Sequence, residues 1–211
     1  MHITKTDIST MNRIERLNLI NSLSGIKPAN LIGTVDADGN DNLAIFSSVV
    51  HLGSNPALFG FILRPRGDVR RHTHENILAT GVYTINFVHN HFTKEAHYTS
   101  IKADNGTSEF DMSGLTPEYL ADFKAPFVKE SSIKLGMTLQ QEVPIEANGT
   151  SLIIGQVEHI LLPEGAMADA GHLDLGSHAV AGISGLNTYY SFQKEARYPY
   201  VRDGYTLEDL D

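Results

Sequence analysis

Short apolar runs punctuated by turn residues dominate the chain, and only two stretches follow a clear helical period. In "DISTMNRIERLNLINSLSG", Met11, Ile14, Leu17 and Ile20 recur three apart, with Leu19 and Leu23 beside them. That spacing predicts an amphipathic helix over about 9–24, with Ser9 or Thr10 as its N-cap and Gly25 as its stop. The second is Asp68 to Thr80, with Val69, Ile77 and Leu78 apolar and Gly81 just past the end. Here Asp68 is the expected cap, so Val69, Arg70 and Arg71 would form the first turn.

The remaining runs predict strands. "NLIGTV" leads through the Asp38-Gly39 turn into "NLAIFSSVVHLG", a hairpin whose second strand is long. "ALFGFILR" and "VYTINFV" are further strands on either side of the second helix. Residues 91–127 are less regular, with short helices expected in "FTKEAHYTS" and "GLTPEYLADF". "IKLGMTLQQEVP" and "SLIIGQVEHILL" form another hairpin around Asn148-Gly149. Hairpins outnumber helices between strands, and no G-x-G-x-x-G follows a strand. Together these argue for a mainly antiparallel β-barrel with peripheral helices rather than a doubly wound sheet.

Composition narrows the chemistry. With 211 residues the expectation is a single domain, 1–211, large enough to fold without disulfides or metal. A net charge of −9 argues against nucleic acid as the main partner. The absence of cysteine removes thiol catalysis, thiolate zinc sites and iron–sulfur clusters. No long apolar run and no signal-like start are present, so no membrane association and a cytoplasmic location are expected.

The usual catalytic motifs are missing. "GISGL" has the wrong glycine spacing for a nucleophile elbow, and there is no Walker loop. Ten histidines invite a metal reading, and His72-x-His74 is the obvious pair. On a helix, however, residues two apart point about 200° apart and cannot share an ion. His89-x-His91 could share a strand face, but His91 falls in an expected turn. No metal site and no catalytic acid or base are expected.

An anion site at the start of the second helix is the better candidate. Unpaired N–H groups and the helix dipole attract negative charge, and Arg70, Arg71, Thr73 and the nearby Arg64 would add to it. A plain solvated basic face explains the same residues. Asn42, Ala44, Ser47 and Ser48 lie among apolar residues, as a flat heteroaromatic ligand would require. An ordinary barrel strand, with both serines bonded to neighbours, remains equally open at this point.

The ordered set of segments decides further. "NLIGTVDADGNDNLAIFSSVVHLGSNPALFGFIL" followed by "RRHTHENILATGVYTINFV" resembles the flavin reductase-like family, whose domain is the FMN-binding split barrel. The matching features are the D-x-G turn, the strand Asn42 to Ser48, the strand after Pro56, Thr73-x-x-Asn76-Ile77, Gly81 and Asn86. "KEAHYTS", "SEFDMSGLTP", "APFVKES" and "LIIGQVEHI" extend the likeness over roughly 25–165. The chain is also similar to the flavoredoxin branch, although a basic-Asp-Thr triplet there reads Arg71-His72-Thr73 here.

The resemblance implies FMN bound near a homodimer interface, with a nicotinamide donor, NADH or NADPH, and a flavin that acts as hydride acceptor. A partner monooxygenase or another acceptor would then take the electrons. Asn42, Ala44, Ile45, Phe46, Ser47 and Ser48 would line the ring, mainly through main-chain groups. Ser47, Ser48, Arg64, Arg71, His72, Thr73 and Asn76 would lie near the ribityl chain and phosphate, while Asn76 and Asn86 could instead fix loop geometry. A non-catalytic electron carrier, a pyridoxamine-phosphate-oxidase-like enzyme and a structural barrel are the alternatives. The C-terminal extension, about 178–211, lies outside the likeness.

Overall fold

The computed structural model describes residues 1–65, 70–101 and 107–210. Two short helices open the chain, α1 (Lys5–Thr10) and α2 (Arg13–Ser22). Strands β1 (Lys27–Pro28), β2 (Asn30–Val35), β3 (Asp41–Phe46), β4 (Val50–Ser54) and β5 (Ala57–Leu63) follow. Helix α3 (His72–Thr80) precedes β6 (Val82–Phe87), and α4 (Thr93–Tyr98) and α5 (Glu109–Ser113) come next. Then come β7 (Pro117–Leu120), β8 (Phe123–Val128), β9 (Lys134–Ile145) and β10 (Thr150–Leu161). Strands β11 (Ala181–Ser184) and β12 (Thr188–Ser191) precede a tail without strands.

Seven strands form one antiparallel sheet in the order β3-β2-β6-β9-β10-β5-β4. Its two edges, β3 and β4, are consecutive in the chain and joined only by residues 47–49. Laid flat, seven strands would hold their edges about 29 Å apart, whereas this link reaches only about 14 Å. The sheet must therefore curl until its edges approach, so it is a barrel split along one seam. Ser48 straps that seam: its hydroxyl accepts from the Ile62 N–H at 3.1 Å.

Alternation along the strands sorts two cores. Ile32, Phe61, Tyr83, Ile85, Met137 and Ile153 fill the barrel, with Ile77 of α3 packed among them at one end. Leu31, Leu43, Val88, Phe92, Phe110 and Ile183 form a second core outside it, under α4, α5 and the small sheet β1-β11-β12. The β7–β8 hairpin is held to the outer wall by Asn86, whose amide accepts from the Val128 N–H at 2.9 Å and donates to the Leu31 carbonyl at 3.1 Å. Asn86 is therefore a structural fastener. His89 does similar work for the C-terminal extension. One ring nitrogen meets the His178 carbonyl at 2.8 Å and the other accepts from the Ser132 N–H at 3.1 Å, and burial holds its pKa below the ordinary histidine value.

The structure revises four expectations. The N-terminal helix over 9–24 is two helices: Thr4 and Asp7 form a reciprocal cap on α1, and Asn12 caps α2 across an extended Met11. Ser9 and Thr10 are not caps; both hydroxyls turn back to the Thr6 carbonyl. The long strand 42–53 breaks at 47–49, where the chain passes from one barrel edge to the other. "GLTPEYLADF" is not a helix: α5 ends earlier at Gly114, which takes φ 77°, and the segment begins the β7–β8 hairpin. The second helix starts at His72, with Arg71 as the residue before its first turn, so Arg70 and Arg71 are not helical. Asp68 and Val69, expected in that turn, lie outside the described residues. Gly81 does end α3 with φ 74°. Among the described residues no helix is long and apolar enough to cross a membrane.

Glycine is obligatory where barrel side chains cross. A Cβ on Gly155 would meet the Tyr83 hydroxyl at 2.2 Å and ring carbons at 2.9 and 3.1 Å. Gly155→Ala should cost about 1–3 kcal/mol through overpacking. Tyr83→Phe in the same chain should recover part of that loss, as read from denaturant midpoints. Equal midpoints for Gly155→Ala and wild type would contradict this packing.

Candidate functional site

The site grows from the register of the β2–β3 hairpin. The Asp36–Asn40 turn is knotted by the Asp36 carboxylate, which accepts the Asp38 and Asn40 N–H groups at 2.9 and 2.8 Å. It sets Thr34 opposite Asn42. Both side chains are buried at the end of the barrel that α3 covers. The first turn and a half of α3 brings Thr73 and Asn76 down onto them: Asn76 donates to the Thr34 hydroxyl at 3.1 Å, and Thr73 lies 3.2 Å from the Asn42 amide. The Asn42 orientation that satisfies both amide ends points Nδ2 to Glu109 Oε2 at 3.3 Å. Its Oδ1 then accepts from the Thr73 hydroxyl at 3.2 Å. Thr34 with Asn76, and Thr73 with Asn42 and Glu109, thus form neighbouring parts of a buried polar network that joins β2, β3, α3 and α5.

Glu109 also blocks part of an open sheet edge. Its carboxylate accepts the Leu43 N–H at 3.1 Å. Burial pushes this carboxyl above the ordinary carboxylate range, against the pull of the Leu43 N–H and of nearby His72. Since the Leu43 N–H points away from β2, alternation turns the backbone groups of Ile45 the same way. Among the described residues no hydrogen bond reaches them. One stretch of β3 edge beside Ala44, Ile45 and Phe46 is therefore open to a ligand's donors and acceptors.

Arg71 completes the picture. Its Nε is buried yet has no hydrogen-bond partner among the described residues. The N–H groups of His72 and Thr73 beside it begin α3 and have no partner within the helix. A buried guanidinium nitrogen left unpaired is costly unless an acceptor arrives. The corner thus gathers one buried guanidinium N–H and two N–H groups with no partner within the helix.

Other expected residues divide. Phe46 packs edge-on against Phe61, ring centres 4.9 Å apart, at the inner side of the seam. The Ser48 hydroxyl is occupied by Ile62, so any ligand contact there falls to Ser47 or the main chain. Arg64 is exposed just past β5. Arg70 is exposed and pairs with Glu75 at 2.6 Å. His72 and His74 part company: His74 is buried and meets Glu142 of β9 at 3.1 Å, whereas His72 lies toward Glu109. Two members of the network, Thr34 and Glu109, have no signal in their local sequence, although the turn at Asp38-Gly39 fixes Thr34 opposite Asn42 once the hairpin register is drawn.

Comparison with known proteins identifies the family. Residues 25–179 match the model of the flavin reductase like domain. The chain belongs to the flavin reductase-like family. By family it is a flavin-related oxidoreductase. A candidate flavin reductase with a split barrel domain from Shewanella frigidimarina NCIMB 400 is 48% identical, with 95% of this chain and all of that one covered at a TM-score of 0.91. The flavoredoxin of Desulfovibrio vulgaris (Miyazaki F) is 21% identical over 83% of this chain and 91% of its own, at a TM-score of 0.71. An FMN-binding protein from Thermus thermophilus, solved with 1-cyclohex-2-enone, is 16% identical over 84% and 93%, at a TM-score of 0.70. The last two share the fold.

The network makes a stability prediction. Thr34→Val keeps the shape of the side chain but leaves the Asn76 amide without its acceptor, which should cost about 1–3 kcal/mol. Thr34→Ser should cost less. Chemical denaturation of the three proteins decides it, and a silent Thr34→Val would mean the amide finds another acceptor.

Proposed function

We propose that the protein binds FMN and uses it to oxidise a nicotinamide donor, as a flavin reductase. The observation that carries this reading is the buried, unpartnered Nε of Arg71 beside the first turn of α3. A phosphate there would meet Arg71, the N–H groups of His72 and Thr73, and the imidazole of His72. The open edge of β3 supports the same placement, because Ile45 offers a donor and an acceptor side by side for the ring. Ala44 is small enough to let a flat ring approach, and Phe46 and Ser47 border it. When bound, the flavin supplies the hydride acceptor, so the protein needs only to bind, orient and shield it.

We read the protein as a homodimer. Over Gly60, Leu52 of β4 and Leu152 of β10 meet on the outer side of the barrel wall, and Leu52 is 44% exposed. Neither joins any of the buried clusters, so this apolar wall is available to a second copy.

Purified protein should retain or take up FMN and then consume NADH or NADPH in a flavin-dependent assay. Flavin binding without turnover would favour an electron carrier, and turnover of a pyridoxal-type substrate the oxidase alternative. Arg71→Ala orphans no protein group, so it should weaken FMN binding about tenfold or more with an unchanged unfolding midpoint. An unaltered dissociation constant would place the phosphate elsewhere. Sedimentation should show a dimer that Leu152→Asp converts to monomer; a monomeric wild type would refute the second copy.

A further inference from the structure

We propose that Glu109 limits how tightly this protein holds an anionic flavin: it is a buried negative charge set behind the phosphate-binding turn, and it favours a flavin that exchanges over one held permanently. The proposal rests on the placement of the phosphate at the start of α3.

Glu109 is held firmly. Ser108 caps α5 by accepting the Phe110 N–H at 3.2 Å, Phe110 is buried in the outer core, and Gly114 ends the helix in a left-handed turn. Its side chain is only 7% exposed and points at β3, not at solvent. From Glu109 Oε2 the path to the first turn of α3 is two hydrogen bonds, through the Asn42 amide to the Thr73 hydroxyl. Thr73 is the neighbour of both His72 and the chain that leads to Arg71. An anion at that turn would thus have cationic groups around it and a carboxylate beneath it.

Structure alone does not call for a charge here. The Leu43 N–H and the Asn42 amide need an acceptor, which a neutral amide could provide, and burying a carboxylate is more costly than burying an amide. Among the described residues, His72 is the titratable group that faces it. Asp111 of the same helix faces Asp41 of β3, Asp41 accepts from Tyr119, and His97 of α4 is turned to Tyr189. Unit charges about 8 Å apart at an effective dielectric of about 20 change a binding constant by tenfold or more. An ionised Glu109 should therefore weaken the hold on the phosphate and leave the hold on the ring untouched.

Two probes that differ only in the phosphate separate these effects. Dissociation constants for FMN and riboflavin are measured by flavin fluorescence at pH 6 and pH 8, for wild type, Glu109→Gln and Glu109→Ala. In Glu109→Gln, which keeps an acceptor for Leu43, FMN should bind about tenfold tighter or more at pH 8 with riboflavin unchanged. The gain should shrink at pH 6, where Glu109 is more protonated. Glu109→Ala removes one of the two acceptors of the Leu43 N–H and the acceptor of the Asn42 amide, and should weaken both flavins, yet still move the FMN-to-riboflavin ratio toward FMN. If wild type prefers FMN to riboflavin but neither variant moves the ratio, the role given to Glu109 is wrong. If neither wild type nor either variant prefers FMN to riboflavin, the phosphate does not sit at α3 and both readings fall together.

Discussion

A link of three residues, 47–49, between the two edges of a seven-stranded sheet is the constraint on which the rest depends. It forbids a flat sheet and forces a barrel. Inside the closed barrel Tyr83 lies over Gly155, where a side chain would collide with it, and Phe61 meets Tyr83 edge-on with ring centres 5.5 Å apart. Closure is not complete. Ser48 straps the seam with its hydroxyl, but β3 keeps an edge that no strand pairs. An open edge invites aggregation, and here it is covered by other means. Glu109 takes the Leu43 N–H, the Tyr119 hydroxyl reaches Asp41, and a short length around Ile45 has no hydrogen-bond partner among the described residues.

The same seam explains why the polar groups gather where they do. A barrel end must be plugged, and α3 plugs this one with Ile77 inside and Thr73 and Asn76 at the rim. Rim side chains lose water without entering the apolar core, so each needs a protein partner. Thr34, Asn42 and Glu109 provide them. The contrast with Arg71 is instructive. In a neighbourhood where almost every buried polar atom is paired, its Nε is not. Stability would not select that arrangement by itself, whereas binding of an anion would.

Much of this was legible in the chain. Period-two alternation and the Asp38-Gly39 and Asn148-Gly149 turns marked both main hairpins, because strand pairing across a tight turn is local. Gly81 marked the end of α3 for the same reason. The start of α3 was not legible: Asp68 is a good cap by type, yet the helix begins at His72, where Thr73 and Asn76 can reach Thr34 and Asn42. The serines were ambiguous too, since a hydroxyl on a strand looks the same whether it meets a ligand or, as Ser48 does, the next strand.

The sequence by itself determined an antiparallel, hairpin-built chain, its family, and a short list of residues around Asn42 to Ser48 and Arg71 to Asn76. Those follow from turn chemistry, side-chain alternation and ordered motifs, all of which act between near neighbours. Only the tertiary structure decided which of them share a site. It broke the expected strand at 47–49, paired His74 with Glu142, and left Arg71 Nε without a partner among the described residues. It also brought in Glu109, sixty-six residues from Leu43. Barrel closure and burial make these choices, because they set which distant groups must satisfy one another once water is gone.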